Sequence, residues 1–425
     1  MKKWFSILLC MVMLMTTLCA VSAQAEGTIE PCTISFWKSP HSNHEEEIWE
    51  NVIKRFNEEY PQITVEFLSV PWDSVVEKEM AAFASGTAPD VSFQVEQYMV
   101  YAQAGKLVDL NEYATPEKLA GYPQSALDYF TFDGKLCGIP FVALNSVVFY
   151  NKDLFAEAGV EIPTTWDELV AAAQKLTLDK DGDGVTDQWG LLLGNRPSID
   201  QWVHVTYIVE AGGQIWNDTV DNIGFNNEAG IKGLEFVNDL YNTYKVCPGP
   251  DVYSSQEEQL NAFCDGKIAM YPAQIHTVNN IRTTNPDLNL GAFINPAGPA
   301  EDPAYATWDF ANIGSLSISS DSPNKEAAWA FVEFATRPEV EKDFLSDVGF
   351  FSPQMATNDL MYQGDEIMTL AGQNIRQMRV SPASFVFQGM YDGLKTMFES
   401  VIRGVATPQE AMDNLEAQFK ELADE

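Results

Sequence analysis

The chain has 425 residues, of which 46% are hydrophobic and 12% aromatic, a composition typical of a folded globular protein. Its formal net charge of −36 argues against nucleic acid or anionic lipid as partners, because both are bound through clustered Lys and Arg. The length exceeds what one hydrophobic core usually supports, so we expect two domains.

Residues 1–25 have the pattern of a signal peptide. Lys2 and Lys3 supply the positive start, a short apolar run follows, and Ala23-Gln24-Ala25 is typical of a cleavage site. The apolar run is shorter than the roughly 20 residues that span a membrane. A lipoprotein signal ending at Cys19 is the alternative, but the residues before that cysteine lack the expected small side chain. We therefore predict a cleaved, exported protein of the periplasm or the extracellular cell surface.

Strands and helices alternate along the first part of the exported chain. The pattern predicts strands at 33–37, 63–68 and 89–93, a helix from about Asn43 to Pro61, and a helix from Trp72 to Ser85 closed by Gly86. Such alternation indicates an α/β fold with parallel strands.

The segment 149–176, FYNKDLFAEAGVEIPTTWDELVAAAQKL, has clear local signals. A strand ends at Asn151, and a short helix follows that Gly159 is placed to stop. Thr165 can cap the next helix, and Glu168, three residues later, can bond back to it in a capping box.

Five further segments follow a recognisable order. They are 83–91 (FASGTAPDV), 138–141 (GIPF), 263–270 (FCDGKIAM), 322–329 (SPNKEAAW) and 407–411 (TPQEA). Together with 149–176 they resemble the extracellular solute-binding proteins of bacterial sugar ABC importers, the group that includes maltose-binding protein. The resemblance extends from about Thr33 to Leu422.

The resemblance implies a type II periplasmic-binding-protein fold of class α/β. Each of two lobes would be a mainly parallel sheet flanked by helices, and the chain would cross between the lobes three times, near Leu144, Pro296 and Ser352. Lobe one would then comprise 33–143 plus 297–351, and lobe two 145–295 plus 353–425.

The resemblance also implies a function. The protein would be a monomer that performs no chemistry and needs no cofactor. It would bind a mono- or oligosaccharide between the lobes and deliver it to the permease subunits of an ABC transporter.

The residues of the late motifs have a structural explanation of their own. Ser322 and Thr407 are predicted N-caps, each followed by a proline at the first helical position. In the helix after Ser322, apolar residues recur at the spacing of a core-facing stripe: Ala328, Phe331, Val332 and Ala335.

A sugar site needs aromatic rings that stack on C–H faces and polar groups that bond hydroxyls. We expect such residues just after strands, because ligands bind at the carboxyl ends of parallel strands, and at the lobe crossings. The candidates are Trp37, Lys38, Gln94, Glu96, Asn145, Arg196, Trp202, Gln274, His276, Trp308, Asp309 and Phe385.

Several candidates have two interpretations. Trp37 either contacts the ligand or covers the sheet edge, Asn145 is either a ligand contact or a hinge residue, and Trp202 either stacks on a ring or lies in the core. The maltose-binding pattern has a tryptophan near His276 that this chain lacks, which disfavours a maltodextrin, and Trp308 is expected to replace that ring.

Trp72 and Trp166 are predicted to begin helices and to lie in the core.

The segment 179–187 copies the first nine positions of a calcium-binding loop. Its ligand positions are held by Asp179, Asp181, Asp183 and Asp187, but Gly190 stands where an EF-hand has its bidentate glutamate. The prediction is a weak structural calcium site, and the alternative is an acidic turn between a helix and a strand.

Two other groups of residues could hold a metal or form disulfides. His41 and His44 with Glu45 suggest a metal cluster, but a helix capped by Ser42-Asn43 with an acidic first turn is the favoured explanation. Four cysteines follow the signal peptide, and proximity in sequence favours the pairs Cys32–Cys137 and Cys247–Cys264, with four buried free thiols as the alternative.

Two other functions compete with sugar capture. A secreted glycosidase needs two carboxylates that flank the scissile bond. The 61 acidic residues could supply such a pair, but no hydrolase motif is present in the sequence. The same fold could bind an anion such as a glycerol phosphate, for which Lys38 and Arg196 are the cleft cations that the sequence offers.

Overall fold

The computed structural model describes residues 29–424 apart from 43, 96, 195–200, 218–220, 254, 309–311 and 376–386. The predicted signal peptide lies outside these residues. No helix within the described ranges is long and apolar enough to cross a membrane.

The elements up to the first crossing form the bulk of lobe one. In chain order they are β1 (Cys32–Lys38), α1 (Glu45–Glu59), β2 (Ile63–Ser69), α2 (Trp72–Ser85), β3 (Val91–Gln94), α3 (Tyr98–Gln103), a 3₁₀ turn (Leu110–Glu112), α4 (Pro116–Leu119), α5 (Gln124–Tyr129), β4 (Thr131–Phe132), β5 (Lys135–Leu136) and β6 (Ile139–Leu144).

The chain then enters lobe two. The elements are β7 (Ser146–Asn151), α6 (Lys152–Ala158), α7 (Trp166–Leu176), β8 (Trp189–Leu191), α8 (Gln201–Glu210), β9 (Gln214–Trp216), β10 (Ile223–Gly224), α9 (Glu228–Asn242), α10 (Gln256–Cys264), β11 (Ile268–Gln274), α11 (Thr277–Thr284), β12 (Leu290–Phe293) and α12 (Pro303–Ala306).

The last part of the chain returns to lobe one and ends in helices. It contains β13 (Asn312–Ile318), α13 (Lys325–Ala335), α14 (Pro338–Val348), α15 (Met355–Asn358), α16 (Glu366–Ile375), α17 (Phe387–Ile402) and α18 (Pro408–Asp424).

Two mixed sheets organise the lobes. The sheet of lobe one has the order β2-β1-β3-β13-β6, with β13 antiparallel to both neighbours and the other four strands running the same way. The sheet of lobe two has the order β12-β7-β11-β8, with β7 antiparallel to both neighbours. In each sheet all strands but one share a direction, so the predicted two-lobe α/β architecture with mainly parallel sheets is confirmed.

The core of lobe one forms where α1 packs on the sheet. Trp49, Val52 and Phe56 of α1 are buried, and the Trp49 ring meets Phe36 of β1 edge-on at 4.7 Å. The predicted stripe of α13 is buried as well, with Ala328, Phe331 and their two partners at 1% exposure or less. Helical spacing of apolar side chains therefore decides which helix faces meet the sheet.

Glycines end two of the predicted helices where expected. Gly86 after α2 has φ +71° and Gly159 after α6 has φ +58°, the left-handed conformation that closes a helix. The Thr165 hydroxyl accepts from the Glu168 N–H at 3.3 Å, but the Glu168 carboxylate accepts from the Thr164 N–H at 2.8 Å rather than from Thr165.

The two late caps have different outcomes. At α18 Thr407 and Glu410 form the reciprocal bonds of a capping box. Ser322 is not an N-cap, because α13 begins three residues later and the Ser322 hydroxyl donates to the Asp90 carboxylate of lobe one.

The first crossing lies at Asn145, between β6 and β7, one residue after the Leu144 that the resemblance indicated. The other two crossings occur later than the sequence indicated. Residues 297–308 stay with lobe two, where the Trp166 N–H donates to the Ala297 carbonyl at 3.2 Å and the Ala300 N–H to the Glu210 carbonyl at 3.0 Å.

Residues 352–358 likewise stay with lobe one. The hydroxyls of Ser352 and Thr357 both donate to Glu341 of α14. We therefore move the lobe-two boundary from 295 to 308 and the end of lobe one from 351 to about 358. These hydrogen bonds join residues that are distant in sequence, so local sequence signals did not reveal them.

The four described cysteines are free thiols, and neither predicted disulfide is formed. Cys247 packs in the core of lobe two, whereas Cys264 lies in the other hydrophobic cluster near the Ile281 carbonyl. Burial raises the pKa of Cys137 and of Cys264 to about 11, so these thiols stay protonated and unreactive.

Candidate ligand cleft

Aromatic side chains meet at the carboxyl ends of the first two strands. β1 and β2 are parallel neighbours, so the residues that follow them lie side by side at one sheet edge. His41, after β1, meets the Trp72 ring, after β2, at 5.1 Å. The Trp72 Nε1–H donates to the Pro40 carbonyl at 2.7 Å, and 42% of Trp72 is exposed. This edge therefore presents an anchored and accessible indole ring.

Lobe two reaches the same place through His276, which follows β11. The Phe350 ring of lobe one lies 5.3 Å from His276 and 4.8 Å from His41, edge-on to both. A second contact joins the lobes, because the Asn279 amide donates to the Asp347 carbonyl at 3.0 Å. The carboxyl edges of the two sheets thus approach each other around Phe350.

Lys38 is not a ligand contact, because its ammonium group is buried and paired. It forms an ion pair with Glu45, whose side chain is 2% exposed, and donates to the Ser39 carbonyl at 2.9 Å and to His41 Nδ1 at 2.7 Å. The Phe93 ring lies 4.7 Å from the ammonium. Burial lowers the pKa of Lys38, and Glu45 partly offsets that effect.

The same cluster explains the residues that suggested a metal site. Glu45 also accepts from the Trp49 indole at 3.1 Å and from the His41 N–H. Burial, with the charge of Lys38, lowers the pKa of His41 well below its ordinary range, so the imidazole is neutral at pH 7. Glu45 is thus engaged in structural bonds at the start of α1.

Gln94 is buried in lobe one rather than facing a cleft. Its amide donates to Glu79 of α2 at 3.0 Å and to the Ser92 hydroxyl at 2.9 Å. Burial raises the pKa of Glu79 to about 7. The predicted role of Gln94 in binding hydroxyls is therefore wrong, because α2 covers the end of β3.

For Trp37 and Asn145 the contacts favour a structural role over a ligand contact. Trp37 is half-buried within β1, and the Lys78 ammonium of α2 lies 4.7 Å from its ring. Asn145 is fully buried at the crossing, where its amide donates to the Ala371 carbonyl at 3.3 Å and its own carbonyl accepts from the Ile275 N–H at 2.9 Å. Asn145 therefore ties the crossing to α16 and β11.

The remaining candidates divide into three groups. Gln274 is half-buried at the end of β11, near the cleft. Trp308 is 6% exposed and lies in the core of lobe two, so it does not supply the expected stacking ring. Candidates outside the described positions or side chains are Glu96, Arg196, Trp202, Asp309 and Phe385; of these, Trp202 lies in α8, near its predicted helix start.

The acidic loop 179–187 is exposed, and three of its four carboxylates converge. Oxygens of Asp179, Asp181 and Asp187 lie within 4.8 Å of one another, whereas Asp183 is not part of the group. Asp179 accepts from the Gly182 N–H at 2.7 Å, and Asp187 accepts from the Lys180 N–H at 2.7 Å. These bonds shape an acidic turn, and the oxygen donors are of the type that calcium prefers.

Sequence reasoning missed three cleft residues. Trp72 was assigned to the core and His41 to a metal cluster, and Phe350 was not singled out. A usable signal existed, because His41 and Trp72 each come within three residues of the end of a parallel strand. Phe350 follows a helix, and only the packing of the lobes brings it to the cleft.

Comparison with known proteins agrees with this architecture. The sequence pattern of the bacterial extracellular solute-binding proteins matches residues 41–342. A putative binding protein of Brucella abortus is 28% identical over 304 residues, 71% of each chain. The arabinooligosaccharide-binding protein of Halalkalibacterium halodurans is 23% identical over 363 residues, 82% of this chain and 77% of its own.

Solved structures share the fold. The GacH receptor of Streptomyces glaucescens, whose structures include complexes with acarbose, superposes with a TM-score of 0.79 at 22% identity. The alignment covers 92% of this chain and 98% of the receptor.

Proposed function

The chain belongs to the family of bacterial extracellular solute-binding proteins, and from that premise we propose that it captures a mono- or oligosaccharide between its lobes. The loaded protein delivers the sugar to the permease subunits of an ABC importer. The observation that carries the proposal is the exposed Trp72 ring, anchored at the carboxyl edge of lobe one. An accessible indole ring stacks well on the apolar C–H face of a pyranose.

Polar groups from both lobes complete the site. His41 stands beside Trp72, while Gln274 and His276 come from lobe two. A ligand that contacts both edges binds the closed arrangement better than an open one, so it shifts the protein toward closure. Closure around the sugar is the signal that a permease can distinguish from the empty protein.

Most of the relatives with a named ligand bind carbohydrates, and sn-glycerol-3-phosphate-binding proteins are also among them. One of them is an arabinooligosaccharide-binding protein, and a structural relative is seen with acarbose. A phosphate ligand has weaker support, because the ammonium group of Lys38 is already paired with Glu45. We further propose that the protein acts as an exported monomer in the periplasm or at the cell surface, without catalysis and without a required cofactor.

A thermal-shift screen of the protein without residues 1–25 tests the proposal. The panel contains mono- and oligosaccharides, sn-glycerol 3-phosphate and inorganic phosphate, each at equal concentration. A ligand that binds only the folded state raises the melting temperature, and at 100 times its Kd it adds about 2.7 kcal/mol of stability. We expect shifts with one class of saccharide at micromolar concentration and none with phosphates. Trimethylamine N-oxide at the same concentration controls for general osmolyte effects. Shifts with phosphates alone would replace the sugar by an anion.

A further inference from the structure

The outer edge of the lobe-one sheet contains a groove of about 550 Å³ between α1 and β2. This volume lies in the range of typical ligand pockets. The groove shares no lining residue with the cleft around Phe350. Within the described part of the chain, β2 pairs with β1 alone, so it is an edge strand along the groove.

The backbone of β2 is open along this groove. The Cys32 N–H donates to the Gln62 carbonyl at 3.1 Å, and the Val70 N–H donates to the Lys38 carbonyl at 2.9 Å. In a parallel pair alternate residues bond to one neighbour, so these two bonds turn the even-numbered residues of β2 toward β1. The N–H and C=O groups of the odd-numbered residues therefore face outward.

Three of these odd-numbered residues, Val65, Phe67 and Ser69, line the strand side of the groove, together with the even-numbered Leu68. Apart from the hydrogen bonds between β1 and β2, the backbone N–H groups of Val65, Phe67 and Ser69 donate to no backbone carbonyl of the described residues. An edge strand with open donors and acceptors is a template for one more strand.

The helix side of the groove adds side-chain chemistry. Ile53 of α1 is half-buried, and the half-buried Phe67 ring opposite it is supported by Phe36 at 5.4 Å. Glu46 and Glu50, one turn apart on α1, are exposed at the groove wall. The exposed Lys54 and the half-buried Asn57 also line this side of the groove. The groove therefore has an apolar floor and a rim on which two glutamates outnumber one lysine.

We propose that this groove docks an extended segment of a partner protein by β-strand addition to β2. In an added strand side chains alternate, so every second residue faces α1. Among the residues that face α1, those beside Ile53 and Phe67 are apolar and those beside Glu46 and Glu50 are basic. A second copy of this chain fits less well, because each copy carries a net charge of −36 and presents the same two glutamates.

The test uses a fluorescein-labelled synthetic peptide of about nine residues, long enough to pair with the whole of β2. Its α1-facing positions are lysine in one half and valine in the other, with threonine at the positions between them. Fluorescence anisotropy should show saturable binding to the protein without residues 1–25. The variant Glu46→Lys/Glu50→Lys should weaken binding about tenfold or more, because it reverses the rim charge. Glu58→Lys alters an exposed acid of α1 that does not line the groove, and it should change binding less than about twofold.

A second peptide separates strand pairing from simple charge attraction. The same sequence with every second backbone nitrogen methylated keeps its charge but cannot complete the edge hydrogen bonds, so it should bind at least about tenfold more weakly. Hydrogen exchange at Val65 and Phe67 should slow only with the unmodified peptide. Equal binding of both peptides, no saturable binding, or light scattering that shows β2-dependent dimers would overturn the proposal. Unchanged saccharide binding by the variants verifies that they are folded.

Discussion

Two charged regions stand out in the sequence, and the structure uses them in opposite ways. After β1, Lys38 and Glu45 are buried, His41 is half-buried, and the three are bonded to one another. In lobe two, the aspartates of 179–187 are all exposed, and their bonds reach only the backbone of their own loop. Both patterns suggest a binding site when met as sequence. The comparison teaches that burial and compensation decide whether charged residues hold the fold or remain open to solvent and ions.

The largest effect is expected from breaking the buried pair. Glu45→Ala leaves the Lys38 ammonium buried without a counter-charge and removes acceptors from Trp49 and His41. We expect a loss of about 3–5 kcal/mol in the free energy of unfolding, measured by urea denaturation. The control Glu47→Ala, an exposed acid on the same helix, should cost less than about 0.5 kcal/mol. Equal costs for the two variants would show that the buried cluster does not stabilise lobe one.

A buried carboxyl group should make stability depend on pH. The pKa of Glu79 is raised from an ordinary 4.5 to about 7 by burial. Between these values the folded protein keeps the proton and the unfolded chain has lost it, so stability falls as the pH rises toward 7 and is then constant. From pH 5 to pH 7.5 the free energy of unfolding, measured by urea denaturation, should fall by about 2–3 kcal/mol more in the parent than in Glu79→Gln.

Comparing parent and variant at each pH cancels the opposite contribution of other groups, such as His41. A pH dependence unchanged by Glu79→Gln would mean that solvent reaches this carboxyl group and that its pKa is not raised.

The smallest effect is expected at the exposed loop. Three converging carboxylates without the bidentate ligand of position 12 should bind calcium only at roughly millimolar concentration. Calcium at about 10 mM should then raise the melting temperature by about 1–2 °C, and Asp179→Asn should remove that shift. Asp183→Asn is the matched control, because Asp183 lies outside the converging group. Tight, micromolar binding or equal loss in both variants would contradict this account of the loop.

The sequence was sufficient for the elements and insufficient for the site. Helix and strand bounds such as 72–85 follow from apolar spacing and from Gly86, which are local properties of the chain. The contacts of Lys38 and Gln94 depend on the helices that cover the ends of β1 and β3, and those are tertiary facts. Trp72 and Trp308 illustrate the same limit. Each comes shortly after the end of a secondary-structure element, yet Trp72 is 42% exposed and Trp308 is 6% exposed. The order of motifs identified the family, and the family does not specify which ring meets the ligand.

A calorimetric titration of Trp72→Ala tests the central claim most directly. The saccharide identified by the thermal-shift screen is titrated into the parent, into Trp72→Ala and into Trp329→Ala, which removes a half-exposed tryptophan from α13, away from the cleft. We predict that Trp72→Ala weakens binding by about five- to thirtyfold, since stacking by one ring contributes roughly 1–2 kcal/mol, whereas Trp329→Ala binds like the parent. Parent-like affinity in Trp72→Ala would contradict the assignment of the sugar to this edge of lobe one.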